Sequence, residues 1–274
     1  MTDHDDAEAG EHGSGAYVHG HHPSVLRSHK SRTIANSAAY LEPELVAGRR
    51  LLDVGCGPGN LTAEFAQRVS PGEVVGIDAS DDIVAEANAE HGDVASFAAG
   101  DVYALDAPDD SFDIVHAHQV VQHLDDPVAA LREMRRVTKP GGVVAVRDAD
   151  YHGMFWAPAN DGMDRWMALY QQMTASLGHE ADAGRHLLGW TQQAGFTDIT
   201  VSTSTWEFTD PDGRSWWAGL WADRVLQSSY GAMAQRDGLA SRAELDQIAT
   251  AWRRWAAEPA GFFLVPHVEI LAVA

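Results

Sequence analysis

The fold is decided by the stretch Leu51-Leu52-Asp53-Val54-Gly55-Cys56-Gly57-Pro58-Gly59-Asn60. Its apolar start predicts a short buried strand, and the spacing of Leu61, Phe65 and Val69 predicts a helix directly after the glycines. A glycine loop between a strand and a helix lets a ligand approach the backbone at the helix N-terminus. The spacing is G-x-G-x-G and differs from the dinucleotide fingerprint G-x-G-x-x-G, because Asn60 follows Gly59.

Strand and helix patterns alternate outward from this loop. Further apolar strands are predicted at 73–77, 94–99, 112–117 and 143–146, with helical spacing between them. After residue 150 the chain contains all nine tryptophans, a β-rich run at 199–208 and a last strand near its end. Alternating strands and helices are typical of an α/β fold with a largely parallel sheet.

Aspartates mark three neighbouring strands of this predicted sheet. Asp53 lies in the first strand, and Asp78 and Asp101 end the second and third. The carboxyl ends of parallel strands meet at one edge, which is the usual ligand position in such folds. Asp53 suits a ligand with an ammonium group, Asp78 can accept both hydroxyls of a ribose, and Asp101 is placed to meet an adenine amino group.

The charge balance excludes several kinds of partner. Forty Asp and Glu against nineteen Lys and Arg give a formal net charge of −21. Nucleic acids and anionic membranes attract clustered positive charge, so we expect neither as a partner. The single cysteine, Cys56, excludes an internal disulfide and a multi-cysteine metal site. Neither a secretory signal nor an apolar membrane-spanning run is visible, so we expect a cytoplasmic protein.

Five motifs together resemble the class I S-adenosylmethionine-dependent methyltransferases, most closely the ubiquinone and menaquinone biosynthesis type. They are Leu52–Gly59, Val75–Asp78, Gly100-Asp101, Phe112–Val115 with Val120–Leu124, and Lys139–Gly142. The resemblance covers residues 50–150. It implies a Rossmann-like seven-stranded, mostly parallel sheet with helices on both faces and helical cap insertions. It also implies S-adenosylmethionine as the cofactor and metal-independent methyl transfer to a small-molecule acceptor.

Composition and the resemblance together predict a division of the chain. Residues 1–16 are expected to form a disordered acidic tail, and residues 17–48 an N-terminal helical lid. Residues 49–150 correspond to the cofactor-binding core, and residues 151–274 to acceptor cap helices with the last two strands.

Cofactor contacts carry over by position in the motifs. The methionine moiety is assigned to Asp53 and the loop that contains Gly55, Cys56, Gly57 and Gly59. The ribose is assigned to Asp78, with Ala79 and Ile83 beside the adenosine, and the adenine to Asp101 and Val102. His118 and Gln119 are expected near the sulfonium. The lid is expected to bring Tyr17, His22, Arg27 and Arg32 to the cofactor, with the basic groups near its carboxylate.

Methyl transfer from a sulfonium requires mainly a positioned acceptor and, for some acceptors, removal of a proton. Histidine is the usual base near neutral pH, so His118 is our candidate catalytic residue. The His19–His22 cluster lacks a well-spaced metal-ligand pattern, and we expect no metal. Trp156, Trp166, Trp216, Trp217 and Trp221 either line the acceptor pocket or form the core of a helical cap or a homodimer contact.

Two other functions stay open at this point. A nicotinamide-dependent oxidoreductase could use a similar sheet, although the missing third glycine and Asp53 argue against it. A non-catalytic regulatory protein that binds S-adenosylmethionine could also keep this loop.

Overall fold

The structure, a computed structural model, describes residues 23–274 and contains an eight-stranded sheet. The strands are β1 (Leu51–Val54), β2 (Val74–Asp78), β3 (Ser96–Ala99), β4 (Phe112–His118), β5 (Thr138–Ala149), β6 (Phe155–Ala157), β7 (Asp198–Phe208) and β8 (Phe262–Val273). The α-helices are α1 (Pro23–Lys30), α2 (Asn60–Val69), α3 (Asp81–His91), α4 (Pro127–Val137), α5 (Asp161–Ser176), α6 (Ala183–Gln193), α7 (Pro211–Gln227), α8 (Ser229–Arg236) and α9 (Arg242–Ala256). Tighter or wider helical turns occur at Ile34–Ala38, Ala39–Glu44 and Val121–His123.

The sheet has a parallel half and an antiparallel edge. The strands β3, β2, β1, β4 and β5 lie side by side in that order and pair in parallel. β8 runs antiparallel to β5, and β7 pairs antiparallel with β8 along its whole length. The α/β, Rossmann-like, mostly parallel sheet with helices is therefore confirmed.

The predicted count of seven strands is one too low. The additional strand, β6, pairs with residues 262–264 of β8, beyond the stretch of β8 that pairs with β5. Three residues are too few to show an alternating pattern in a sequence, which is why this strand escaped prediction.

The two faces of the parallel half are both buried. Leu51, Ile114 and Ala145 pack with Phe65 of α2 on one face, and Leu52, Val115 and Val144 pack with α4 and α6 on the other. Burial on both faces explains why these strands are almost continuously apolar in sequence.

The tryptophan-rich helices form a third core of their own. Trp166 of α5, Trp221 of α7 and Trp252 of α9 are fully buried and in edge-to-face or stacked contact with one another. Such aromatic pairs add to the large area that each ring buries. Trp156 and Trp217 also pack in this cluster, whereas Trp216 is 38% exposed.

None of the helices within residues 23–274 combines the length and apolar character that crossing a membrane requires. The predicted divisions at residues 48 and 150 stay predictions, and the tail at 1–16 lies outside the described residues.

Candidate functional site

A cleft of about 1210 Å³ opens at the carboxyl ends of β1, β2 and β4. Part of its lining is formed by the glycine loop and by residues that end or follow β2 and β3, including Asp78 and Asp101. Further lining comes from α1, from the turn after α5 and from α8. The cleft therefore joins the predicted cofactor edge of the sheet to the helical part of the chain.

The glycine loop is held in place by the neighbouring strand. The backbone N–H of Gly57 donates to Asp78 Oδ2 at 3.0 Å, and the N–H of Cys56 donates to the carbonyl of Ile77 at 2.9 Å. A β-carbon added at Gly55 would lie 2.4 Å from Val120 Cγ2, so the loop and the end of β4 meet too closely for any side chain there. Gly55 and Gly57 line the cleft.

Gly59 and Cys56 belong to the same loop but do not line the cleft. Gly59 precedes α2 with a φ of 84°, and a β-carbon there would lie 2.8 Å from the ring of Phe97. Cys56 is buried, and burial together with the nearby carboxylates of Asp53 and Asp78 raises the pKa of its thiol. A thiol in this state is a poor nucleophile.

Asp53 points into the protein. The residue is 3% exposed, and its carboxylate accepts one hydrogen bond from Thr62 Oγ1 at 2.5 Å and another from His116 Nδ1 at 2.7 Å. His116 in turn lies edge-on against Phe65 at 4.9 Å between ring centroids. The carboxylate thus joins β1, β4 and the first turn of α2, and it does not line the cleft.

Asp78 and Asp101 do line the cleft, together with Ala79, Ile83 and Val102. Asp78 Oδ1 accepts from the N–H of Ser80 at 3.1 Å, and Asp101 Oδ1 accepts from the N–H of Tyr103 at 2.9 Å. A carboxylate offers about four acceptor positions. Both aspartates therefore keep acceptor positions for a ligand in the cleft.

His118 and Gln119 stand at the end of β4 on the cleft wall. His118 is 3% exposed, and burial and the guanidinium groups of Arg32 and Arg147 hold its pKa well below the usual range. Gln119 has a φ of 55°. Its Oε1 accepts from Arg32 Nη2 at 2.9 Å, and its Nε2 donates to His267 Nε2 at 2.9 Å.

Of the N-terminal residues that we singled out, the structure describes Arg27 and Arg32, and only Arg32 reaches the cleft. Arg27 is not on the cleft wall: its guanidinium is about half exposed and pairs with Asp223 of α7 at 2.9 Å. Arg32 lines the cleft, together with Leu26 and His29. Tyr17 and His22 lie outside the described residues.

The helical part of the chain supplies lining residues that sequence reasoning missed. His179 follows α5, and Ala232, Met233 and Arg236 lie on α8. Gly178 follows α5 with a φ of 76°. A glycine that ends a helix directly before a histidine is the one local feature of the sequence that could have indicated His179. None of the five tryptophans that we placed either in the acceptor pocket or in a helical core lines this cleft. Trp156, Trp166 and Trp221 pack in the helical core, and Trp216 and Trp217 border a separate cavity of about 600 Å³. Within residues 23–274, no three His, Cys, Asp or Glu side chains are grouped closely enough to hold a metal ion.

Comparison with known proteins agrees with this geometry. A family profile described as a methyltransferase domain matches residues 52–146. An uncharacterised methyltransferase of Schizosaccharomyces pombe is 35% identical over 268 residues, which are 93% of this chain and 95% of that protein. A protein of Aspergillus luteorubrus named as a methyltransferase is 29% identical over 280 residues, 93% of this chain and 96% of that one.

Solved structures share the fold. A phosphoethanolamine N-methyltransferase of Haemonchus contortus, solved with phosphomonomethylethanolamine and S-adenosylhomocysteine, matches with a TM-score of 0.52 at 18% identity. The match covers 87% of this chain and 53% of that one. Sequence relatives along nearly the whole chain, the profile match and the shared fold lead to one conclusion: this chain belongs to the class I S-adenosylmethionine-dependent methyltransferases.

Proposed function

We propose that this methyltransferase binds S-adenosylmethionine at the glycine-loop end of the 1210 Å³ cleft and a small-molecule acceptor at the end formed by the turn after α5 and by α8. The observation that carries the proposal is that one continuous cleft contains Asp78, Asp101 and the apolar residues of α8. Single small-molecule sites usually occupy about 300–1,000 Å³, so the volume suits two ligands side by side.

The residues at the sheet edge fit the cofactor. Asp78 keeps carboxylate positions for the ribose hydroxyls, and Asp101, which is exposed, keeps positions for the adenine amino group. Gly57 faces the cleft without a side chain, and a β-carbon there would have no neighbour closer than His29 Nδ1 at 3.6 Å. Arg32 also lines the cleft, and we assign it to the carboxylate of the cofactor.

The acceptor end of the cleft is suited to holding a partly apolar molecule. Leu26, Leu124 and Met233 line it, and aliphatic side chains exclude water from a bound acceptor. The cofactor supplies an already activated methyl group on a sulfonium, so the protein has mainly to orient the nucleophile in line with it. The net charge of −21 disfavours a nucleic-acid acceptor.

Calorimetric titration with S-adenosylhomocysteine and, separately, with NAD tests this proposal on the purified protein. We expect saturable one-to-one binding of S-adenosylhomocysteine and no measurable heat with NAD. Asp78→Ala should weaken the binding, and Asp223→Ala, which removes an acid at the α1–α7 contact, should leave it unchanged. Tight NAD binding without S-adenosylhomocysteine binding would overturn the assignment.

A further inference from the structure

Four histidines line the described part of the cleft: His29, His118, His123 and His179. A base in methyl transfer needs a free nitrogen lone pair and surroundings that tolerate the positive charge it gains. His29, in the N-terminal segment, lies beside Gly57 at the cofactor end. His118, His123 and His179 differ in how well they meet these two requirements.

His118 has no lone pair to offer. Its Nδ1 lies 3.5 Å from Arg147 Nη1, and an arginine can only donate, so Nδ1 is the acceptor. The proton of the neutral ring is then on Nε2. Arg147 is itself fixed by Glu269 Oε1 at 3.2 Å and by Ser204 Oγ at 3.1 Å. The buried network therefore presents His118 as a hydrogen-bond donor.

His123 is unsuitable for a different reason. It ends a helical turn whose neighbours include His179 and Arg32, and burial with these two groups lowers its pKa to about 3. An imidazole in this position stays neutral over the whole range in which an enzyme works.

His179 is placed by the way α5 ends. The N–H of Gly178 donates to the carbonyl of Ala175 at 3.1 Å, and the N–H of His179 donates to the carbonyl of Thr174 at 3.0 Å. These two bonds, with Gly178 in the left-handed region, form a Schellman motif. The N–H of Glu180 then donates to the carbonyl of Gln122 at 3.2 Å, which fastens this turn to the end of the sheet.

The surroundings of His179 suit a positive charge. The residue is 7% exposed and lines the cleft, and its Nδ1 has no hydrogen-bond partner among the described residues. Asp125 lies against the same turn: a β-carbon at Gly178 would be 3.8 Å from Asp125 Oδ1. The other ionisable groups at this end of the cleft include His123, at 6.1 Å between ring centroids, and Arg236, whose charge pairs with Asp237 at 2.6 Å. Tyr103 also lines the cleft, and its hydroxyl accepts from the N–H of Asp126 at 3.0 Å. Burial lowers the pKa of His179, and Asp125 opposes that effect.

We propose that His179 accepts the proton of the methyl acceptor, which we infer to be a molecule that reacts through an O–H or N–H group. This inference rests on the proposed function. The acceptor atom forms the new bond to the methyl carbon while the carbon–sulfur bond breaks and its electron pair goes to sulfur. The O–H or N–H proton passes to the imidazole of His179, and Asp125 stabilises the resulting imidazolium until solvent removes the proton.

Two probe reactions separate a base from a structural residue. The first is methylation of 4-methylphenol, which like the phenol of tyrosine ionises only near pH 10 and so must lose a proton to react. The second is the formation of S-adenosylmethionine from S-adenosylhomocysteine and methyl iodide, in which sulfur takes the methyl group, iodide leaves and no proton moves. The one cysteine is buried with a raised thiol pKa, which protects it from methyl iodide.

In His179→Gln we expect the 4-methylphenol rate to fall about 100-fold while the methyl iodide reaction stays within about twofold of wild type. His186→Gln, a change at a half-exposed histidine of α6, is the matched control and should leave both rates unchanged. Equal losses in both reactions, or no loss in either, would overturn the proposal. A wild-type protein that neither binds S-adenosylhomocysteine nor reacts with methyl iodide would instead refute the proposed function.

The variant Asp125→Asn provides a second test, because a purely structural role of His179 would leave the pH profile of the reaction unchanged. Removing this carboxylate lowers the proton affinity of His179, so the acid side of the pH profile for 4-methylphenol should move to lower pH. The methyl iodide reaction should show no such shift. An unchanged profile would contradict the role of Asp125 and His179 in handling the proton.

Discussion

The carboxylate of Asp78 accepts a hydrogen bond from the backbone N–H of Gly57 at 3.0 Å, so the end of β2 fixes the loop that follows β1. The same carboxylate accepts from the N–H of Ser80 at the start of α3. One side chain thus holds the glycine loop, ends its own strand and still faces the cleft. Its removal should affect ligand binding in two ways, by losing an acceptor and by releasing the loop.

Asp78→Ala should weaken S-adenosylhomocysteine binding by about 1–3 kcal/mol, because the ribose hydroxyls lose their acceptor. Calorimetry measures this as a fall in affinity of roughly 5- to 150-fold. Asp82→Ala, an exposed acid at the first turn of α3, is the control and should bind as wild type does. Equal affinities for wild type and Asp78→Ala would show that the cofactor lies elsewhere.

Gly59→Ala should destabilise the protein more than Gly48→Ala. Both glycines have positive φ, at 84° and 88°, so both variants carry the backbone cost of about 1 kcal/mol. Only at Gly59 does the new methyl group also meet a ring, since Phe97 lies 2.8 Å away, whereas nothing lies within 4 Å at Gly48. Urea unfolding of the two variants measures the difference. Equal losses of stability would mean that the Phe97 ring moves away from the new methyl group without any loss of folding free energy.

Thr62→Val should lower the free energy of unfolding by about 1–3 kcal/mol, because the buried carboxylate of Asp53 loses a donor while the volume is kept. The bond that disappears is 2.5 Å long and fully buried. Thr250→Val removes an exposed hydroxyl that donates to the carbonyl of Asp246 and should cost much less. Chemical denaturation of both variants provides the comparison, and a Thr62→Val protein as stable as Thr250→Val would contradict it.

Asp148→Asn should change how stability depends on pH. Burial raises the pKa of Asp148 to about 8, although the backbone amides of Gln122 and Val121 and the guanidinium groups of Arg32 and Arg147 oppose this. The folded state therefore holds a proton that the unfolded chain releases near pH 4, and stability is lost as pH rises from about 4 to about 8. Asparagine imitates the protonated acid and has no such loss.

The measurement is the difference in melting temperature between Asp148→Asn and wild type. We expect it to be small at about pH 5 and clearly positive at about pH 8.5. Taking the difference removes the contributions of other groups, such as the buried His118 and His267, which both proteins share. A difference that stays constant with pH would contradict a neutral Asp148.

The parallel half of the fold was predictable because its signals are local. Glycines after β1 and aspartates after β2 and β3 show where strands end, and the common edge of a parallel sheet then brings Asp78 and Asp101 to one cleft. The orientation of the Asp53 side chain could not be predicted in this way. Its orientation depends on His116 of β4 and Thr62 of α2, whose positions no spacing within one strand reveals.

For the same reason, the sequence could not show which residues of the N-terminal segment and of the helical part reach the cleft. Whether Arg27 or Arg32 reaches the cleft depends on how α1 docks on α7, where the guanidinium of Arg224 also bonds to Ser28. His179 reaches the cleft because the turn after α5 is fastened to Gln122, fifty-odd residues earlier in the chain. Both are tertiary contacts, and a periodic pattern carries no information about them.

The conformation of Gln119 has a consequence for ligand binding in the cleft. A non-glycine residue with a φ of 55° is held in a conformation that it adopts rarely on its own, and Arg32 and His267 hold its side chain from two sides. Displacement of Arg32 by a bound carboxylate would remove one of these restraints. Binding of a carboxylate at Arg32 would thereby be coupled to the backbone geometry at the end of β4.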